Sequence, residues 1–132
     1  MSTATARTYQ GTFRGRAEEV SCIRHQVAGY LGDCPVAADI VLIADELAAN
    51  AVLHSRSRGQ FMTVRCALSP GSVRIEVEDM GGPWRKPRDH DRPHGLDIVQ
   101  ALAGPGNWGT QTTSDGNRIA WATLQWPGRT EM

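Results

Sequence analysis

The chain has 132 residues, of which 40% are hydrophobic and 21% charged, and its 14 basic and 14 acidic side chains give a net charge of zero. The composition excludes a mainly disordered chain, and the length fits a single domain over residues 1–132, with a core from about 10 to 126 and a frayed tail at 127–132. The balanced charge offers no electrostatic attraction to DNA or RNA, so direct nucleic-acid binding is not expected.

Three widely spaced cysteines, Cys22, Cys34 and Cys66, form no CxxC motif and no zinc-binding spacing. We interpret them as reduced thiols of a cytoplasmic protein, with Cys22 packed within a helix. The N-terminal residues lack the apolar run of a signal peptide. The apolar stretch within residues 40–53 is too short and too polar to span a bilayer, so no membrane association is expected.

The first part of the chain is predicted to hold one strand and two helices. Residues 8–13 suit a short edge strand, and apolar residues at helical spacing predict a helix over residues 16–31. The run Gly32-Asp33-Cys34-Pro35 breaks this pattern. A second helix is therefore predicted from about residue 35 to 56, with Pro35 in its first turn.

The second part of the chain is dominated by alternating, strand-like patterns. Two strands are predicted within residues 62–68 and 73–77, joined by a hairpin turn at 69–72 and followed by a loop over 79–94. A short helix at residues 95–102 and a final hairpin complete the order β-α-α-β-β-loop-α-β-β. This order predicts an α+β fold, a two-layer α/β sandwich with a mixed, mainly antiparallel sheet and helices on one face.

A row of polar residues lies inside the apolar second helix. Glu46, Asn50 and His54 follow at intervals of four, which keeps them on one slowly drifting helix face. A merely polar helix face is the alternative, but buried polar groups without partners cost roughly 1–3 kcal/mol each. An Asn carbonyl oxygen is a suitable neutral ligand for Mg²⁺, and a Glu one turn earlier can accept a proton during phosphoryl transfer. For His54, helix capping or packing explains the residue as well as phosphate contact does.

Two glycine-containing segments follow this helix. Asp79 with Gly81 and Gly82 is compatible with an ordinary turn, yet a carboxylate there can accept a hydrogen bond from the exocyclic amine of adenine while the glycines let the backbone approach the base. Gly95 and Leu96 open a helix whose unsatisfied N–H groups attract phosphate. The basic loop before Gly95 is explained equally well by triphosphate binding and by simple solvation.

Other candidate sites are weaker. The histidines and aspartates within residues 89–94 suit an exposed loop better than a metal site. Trp108, Trp121 and Trp126 are interpreted as core and rim of the sheet rather than as a ligand cage. The sequence contains no Ser-His-Asp order, Walker A motif or Rossmann fingerprint.

These segments together resemble a known superfamily. Glu46-Leu-Ala-Ala-Asn50-Ala-Val-Leu-His54-Ser resembles the N box of the Bergerat-fold (GHKL, histidine kinase-like) ATPases, and more narrowly of the small anti-sigma-factor serine/threonine kinases. Asp79-Met-Gly81-Gly82 is similar to their first glycine box, and His94-Gly95-Leu96 to their second. The similarity extends over about residues 10 to 125 and includes the C-terminal hairpin.

The resemblance implies an ATP-binding regulator in the cytoplasm, commonly a homodimer, that phosphorylates Ser or Thr on an anti-sigma factor antagonist and sequesters a sigma factor. It also implies a nucleotide site that holds ATP and Mg²⁺. The implied roles are Glu46 as catalytic base, Asn50 as Mg²⁺ ligand, Asp79 as adenine acceptor, Gly81 and Gly82 in the base-pocket turn, His54 as a nucleotide contact, and Gly95 with Leu96 at the phosphates.

The chain departs from the family pattern at several positions. Pro93-His94-Gly95-Leu96 stands where relatives carry a Gly-Arg-Gly-Leu type of run, and Arg118 stands where they carry a Thr that supports the adenine site. The lid at residues 80–94 is short, and Pro83 replaces a glycine of the larger relatives. These departures bear on catalysis more than on fold. A non-catalytic module that binds a sigma factor or an antagonist is therefore the main alternative, whereas a detached half of a histidine kinase lacks the phospho-accepting helical hairpin.

Overall fold

The computed structural model describes residues 7–54, 60–81 and 94–127. Five strands and three helices follow one another here in the predicted order. They are β1 (Arg7–Arg14), α1 (Ala17–Leu31), α2 (Ala37–His54), β2 (Phe61–Ser69), β3 (Ser72–Asp79), α3 (His94–Ala103), β4 (Trp108–Thr112) and β5 (Arg118–Gln125).

The strands form one sheet in the order β1-β2-β3-β5-β4, which places β1 at an edge as predicted. Every strand pair is antiparallel. The predicted α+β fold class is confirmed. The sheet was predicted to be mixed and mainly antiparallel, and within the described residues it is antiparallel throughout.

Alternation along the strands decides which face of the sheet is covered. Val73, Ile75 and Val77 are buried, whereas the intervening Arg74 and Glu76 are partly exposed. Strand residues of successive positions point to opposite faces, so the apolar set shares one face. That face carries the helices: α1 contacts β1 and β2, α2 contacts β2, β3 and β5, and α3 contacts β4 and β5. The helix layer on one face, as predicted, encloses the core.

The hairpin turn between β2 and β3 lies at residues 69–72, as predicted. Ser69 and Ser72 are themselves paired across the strands, so Pro70 and Gly71 are the two central residues of the turn. Gly71 has a φ of 77°, a conformation that glycine adopts without steric cost. The two-residue connection fixes the register of the whole β2–β3 pair.

The second helix begins two residues later than predicted. The amide of Ala37 donates to the carbonyl of Cys34 over 3.0 Å, so Pro35 lies in a turn before α2 and not in its first helical turn. The C-terminal end of the predicted helix, at residues 55–56, lies outside the described residues. Cys22 is exposed on α1, so the expectation that it packs inside was wrong.

The opposite face of the sheet bears a charged network. Arg65 pairs with Glu78 and, over 3.1 Å, with Glu76, and Nε of Arg74 lies 2.7 Å from the same Glu76 carboxylate. The Arg74 guanidinium also lies 4.4 Å from the centroid of the Trp121 ring. Across the described ranges, no helix is both long and apolar enough to cross a membrane.

Candidate functional site

The polar row of α2 is set among small buried residues. Ala48 and Ala51 are fully or almost fully buried, while Glu46 is partly exposed and Asn50 is only 9% exposed. Alanine favours the helix and leaves space beside these two polar side chains. Burial, with a further contribution from the charge of neighbouring Asp45, raises the pKa of the Glu46 carboxyl. A carboxyl with a raised pKa holds a proton more readily, which suits a general base.

Asn50 carries an orphaned amide. Its Nδ2 atom is buried and makes no hydrogen bond within the described part of the chain. Leaving such a group unpaired costs about 1–3 kcal/mol, so an Asn is rarely placed there for packing alone. The unpaired Nδ2 is a donor and fits a bound acceptor such as a phosphate oxygen. The amide oxygen of the same side chain is of the kind that Mg²⁺ binds alongside several waters.

Asp79 ends β3 on the helix-covered face and is 3% exposed. Its Oδ1 atom accepts a hydrogen bond from the amide of Gly81 over 2.7 Å. Burial raises the pKa of Asp79, and the Gly81 amide and the positive charge of Arg118 oppose that rise. An ionised carboxylate has about four acceptor positions, so the Gly81 amide occupies only part of its capacity.

Gly81 joins this strand end to the final hairpin. Its φ is 72°, and a Cβ added to it would lie 2.2 Å from the carbonyl oxygen of Gly116. Only glycine meets both demands, the left-handed conformation and the close contact. The sequence suggested that this glycine lets the backbone approach the base, and that role stays a prediction. In the structure its backbone also packs on the β4–β5 turn.

The resemblance put Arg118 at the adenine site, but the sequence did not pair it with Asp79. It is the first residue of β5 and is paired with Asp79 in the β3–β5 register. Burial lowers the pKa of the Arg118 guanidinium, and the charge of Asp79 opposes this. The only sequence signal was its departure from the family's Thr, which gave no partner.

The remaining predicted residues are placed less completely. Leu96 is partly exposed in the first turn of α3, a helix that packs against α2. Gly95 and His54 lie in helical backbone, but their side-chain surroundings fall outside the described residues. Gly82 and the candidate metal residues of the loop also lie outside, apart from the backbone of His94. The structure thus brings Asp79, Gly81 and Arg118 together, beside the helix that carries Glu46 and Asn50.

Comparison with known proteins identifies the family of this chain. A family model described as a histidine kinase-like ATPase domain matches residues 13–111, well over half of the chain. The chain belongs to the histidine kinase-like ATPase family. Membership supports binding of ATP, and it agrees with the resemblance drawn from the N box and the glycine boxes.

Thirteen chains of solved structures match this histidine kinase-like ATPase. One is described as the crystal structure of the RsbU and RsbW domains of Rv1364c from Mycobacterium tuberculosis, with a TM-score of 0.69 and 23% sequence identity. The match covers 96% of this chain and 35% of that chain, so the present chain spans about a third of that protein. The likeness shows a shared fold. No curated protein matches the chain.

Proposed function

We propose that this chain is an ATP-dependent regulator of the anti-sigma-factor kinase type. It would bind ATP with Mg²⁺, phosphorylate Ser or Thr on an anti-sigma factor antagonist, and sequester a sigma factor. The observation that carries the proposal is the orphaned, buried amide of Asn50, one helical turn after Glu46 on a helix that packs over β3. Family membership supports the nucleotide, and the resemblance of the N box to anti-sigma-factor kinases supports the substrate class.

In this proposal Asn50 holds Mg²⁺ through its amide oxygen, and the ion supplies charge neutralisation to the phosphates when it is bound. Glu46 accepts the proton of the attacking hydroxyl group. Its raised pKa suits that role, since a weakly acidic carboxyl is a stronger base. Phosphoryl transfer depends chiefly on positioning and charge, so these two side chains are a sufficient protein contribution.

In this proposal the adenine base of ATP binds at the end of β3, and its phosphates bind at the start of α3. Asp79 accepts a hydrogen bond from the exocyclic amine of adenine, and Gly81 and Gly82 form the turn beside it. The N-terminus of α3, at Gly95 and Leu96, takes the phosphates. His54, at the end of α2, is proposed as a further contact to the nucleotide.

The partners are proposed to be proteins. One structural relative carries an RsbW domain, and the resemblance to anti-sigma-factor kinases favours a sigma factor, an antagonist and a second copy of this chain as partners. Three free cysteines suit the cytoplasm, where thiols remain reduced. A second candidate function is a non-catalytic module that binds such proteins. One observation favours it: Arg118 lies opposite Asp79, the carboxylate proposed to bind adenine, and could compete with adenine for it.

Calorimetric titration with ATP, with and without Mg²⁺, tests the proposal. We expect saturable, Mg²⁺-dependent binding that Asn50→Ala weakens at least about tenfold, since a lost ligand or charged hydrogen bond is worth about 1.5–3 kcal/mol. The matched control is Asn107→Ala, because Asn107 is an exposed Asn between α3 and β4 whose Nδ2 donates to the Ala103 carbonyl. Folded wild-type protein that fails to bind millimolar ATP would favour the non-catalytic module.

A further inference from the structure

Asp79 and Arg118 are directly opposite residues at the ends of neighbouring strands. β3 and β5 are antiparallel, and their register pairs Val77 with Ala120 and Asp79 with Arg118. Val77 and Ala120 are buried on the helix-covered face. Because side chains alternate, the two charged residues share that face, and directly opposite residues have Cβ atoms about 4.5–5.5 Å apart.

The charged neighbour of Asp79 along its own strand is directed elsewhere. Glu78 lies on the other face of the sheet, where it accepts from Arg65 and, over 2.9 Å, from the Asn117 amide. Arg118 is partly buried and interacts electrostatically with Asp79. The base-site carboxylate is thus accompanied, on its own face, by a guanidinium with five N–H donors and no acceptor.

A carboxylate beside a guanidinium is an acceptor beside a donor. The edge of adenine presents the complementary pair, because its exocyclic amine is a donor and the adjacent ring nitrogen N1 is an acceptor. An ionised carboxylate can accept a hydrogen bond from the amine but cannot donate one to N1. In a buried pocket an unmatched acceptor is costly, so a donor at that point adds both affinity and discrimination.

We propose that Arg118 is a specificity-determining residue that donates to N1 of adenine while Asp79 accepts from the exocyclic amine. This rests on the proposed ATP binding and assigns a role to a residue where the family pattern has Thr. Two other roles are distinguishable: a charge partner that only keeps Asp79 ionised, and an obstruction that competes with the base for Asp79.

The test compares ATP with 1-deaza-ATP, in which a C–H group replaces N1. Wild-type protein should bind 1-deaza-ATP roughly tenfold or more weakly than ATP, the cost of one hydrogen bond from a charged donor. Arg118→Met keeps the aliphatic stem and removes the donors, so it should bind the two nucleotides with equal affinity. Arg74→Met is the control, because Arg74 lies on the opposite face against Trp121, and it should keep the wild-type ratio.

Other outcomes of these titrations would overturn the proposed role of Arg118. Equal binding of both nucleotides by wild type, or an unchanged ratio in Arg118→Met, would overturn the role and leave Arg118 a charge partner. Tighter ATP binding by Arg118→Met would overturn it in favour of obstruction. Wild-type protein that binds neither nucleotide would instead overturn the proposed function, and the role with it. If Arg118→Met fails to fold, Arg118→Leu, which also removes the donors, takes its place in the same comparison.

Discussion

The backbone of Gly81 lies against the carbonyl oxygen of Gly116, so close that a Cβ at position 81 would stand 2.2 Å from that oxygen. The contact joins the end of β3, where Asp79 lies, to the turn that leads into Arg118. Two segments far apart in sequence therefore position the candidate adenine site together. Neither segment can shift without moving the other.

Gly81→Ala should destabilise the protein by about 2–4 kcal/mol, because the left-handed conformation and the forced separation each cost about 1–2 kcal/mol or more. Gly106→Ala is the matched control: Gly106 has a φ of 83°, but a Cβ there meets nothing within 4 Å. It should show the conformational cost alone. Urea denaturation of both variants measures the difference, and equal losses would mean that the contact with Gly116 is unimportant.

Asp79→Asn should change the pH dependence of stability in a defined direction. The pKa of Asp79 is raised in the folded protein, chiefly by burial, so the folded state binds its proton more readily than the unfolded state. Its contribution to the free energy of unfolding therefore falls as pH rises from the usual aspartate range to the raised pKa. Denaturation of wild type and variant across acidic pH should show a difference that shrinks or reverses as pH rises. A difference that grows would contradict the burial argument.

Glu78→Gln should show the opposite trend. Hydrogen bonds from Arg65 and then Asn117 lower the pKa of Glu78, so its stabilisation is present above the unfolded pKa and is lost as pH falls through the folded one. The pair is partly exposed, and its loss should cost about 1 kcal/mol or less at neutral pH. Gln can still accept from Asn117, so the variant isolates the charge. Opposite pH trends of these adjacent residues would confirm that burial dominates at Asp79 and hydrogen bonding at Glu78, and a Glu78→Gln variant with an unchanged pH profile would contradict it.

The thiols of Cys22 and Cys66 should differ sharply in reactivity. Burial, with a smaller contribution from Cys34, raises the pKa of the Cys66 thiol to about 12, whereas Cys22 is exposed. The thiolate is the reactive form, so a disulfide reagent at pH 8 should modify Cys22 rapidly and Cys66 only when the structure opens. Mass spectrometry of partly labelled protein, with Cys22→Ser as control, identifies the sites. Rapid labelling of Cys66 in native protein would contradict its burial.

Local patterns in the sequence were sufficient to predict the helices and strands and to single out Glu46 and Asn50 as candidates. The alternation around Val73–Val77 and the helical spacing around Glu46 and Asn50 reflect backbone geometry, which is fixed within a few residues. The opposition of Asp79 and Arg118 depends on how β3 and β5 are aligned, and no local pattern carries that register across the intervening helix and strand. For the same reason the contact of Gly81 with Gly116 was not predicted. The exposure of Cys22 was missed because α1 buries only a narrow stripe.

Glu46→Gln separates binding from chemistry. Gln keeps the size and polarity of the side chain but cannot accept the hydroxyl proton, so the variant should bind ATP like wild type. It should lose about 10²–10⁴-fold in phosphoryl transfer to a purified antagonist, the usual contribution of a general base. Because the pKa of Glu46 is raised by burial, the wild-type transfer rate should rise with pH as this carboxyl ionises, and the variant should lack that rise. Glu18→Gln, an exposed acid in the first turn of α1, is the control. Full transfer by Glu46→Gln would refute its role as base, whereas ATP binding without transfer by wild type would favour the non-catalytic regulator.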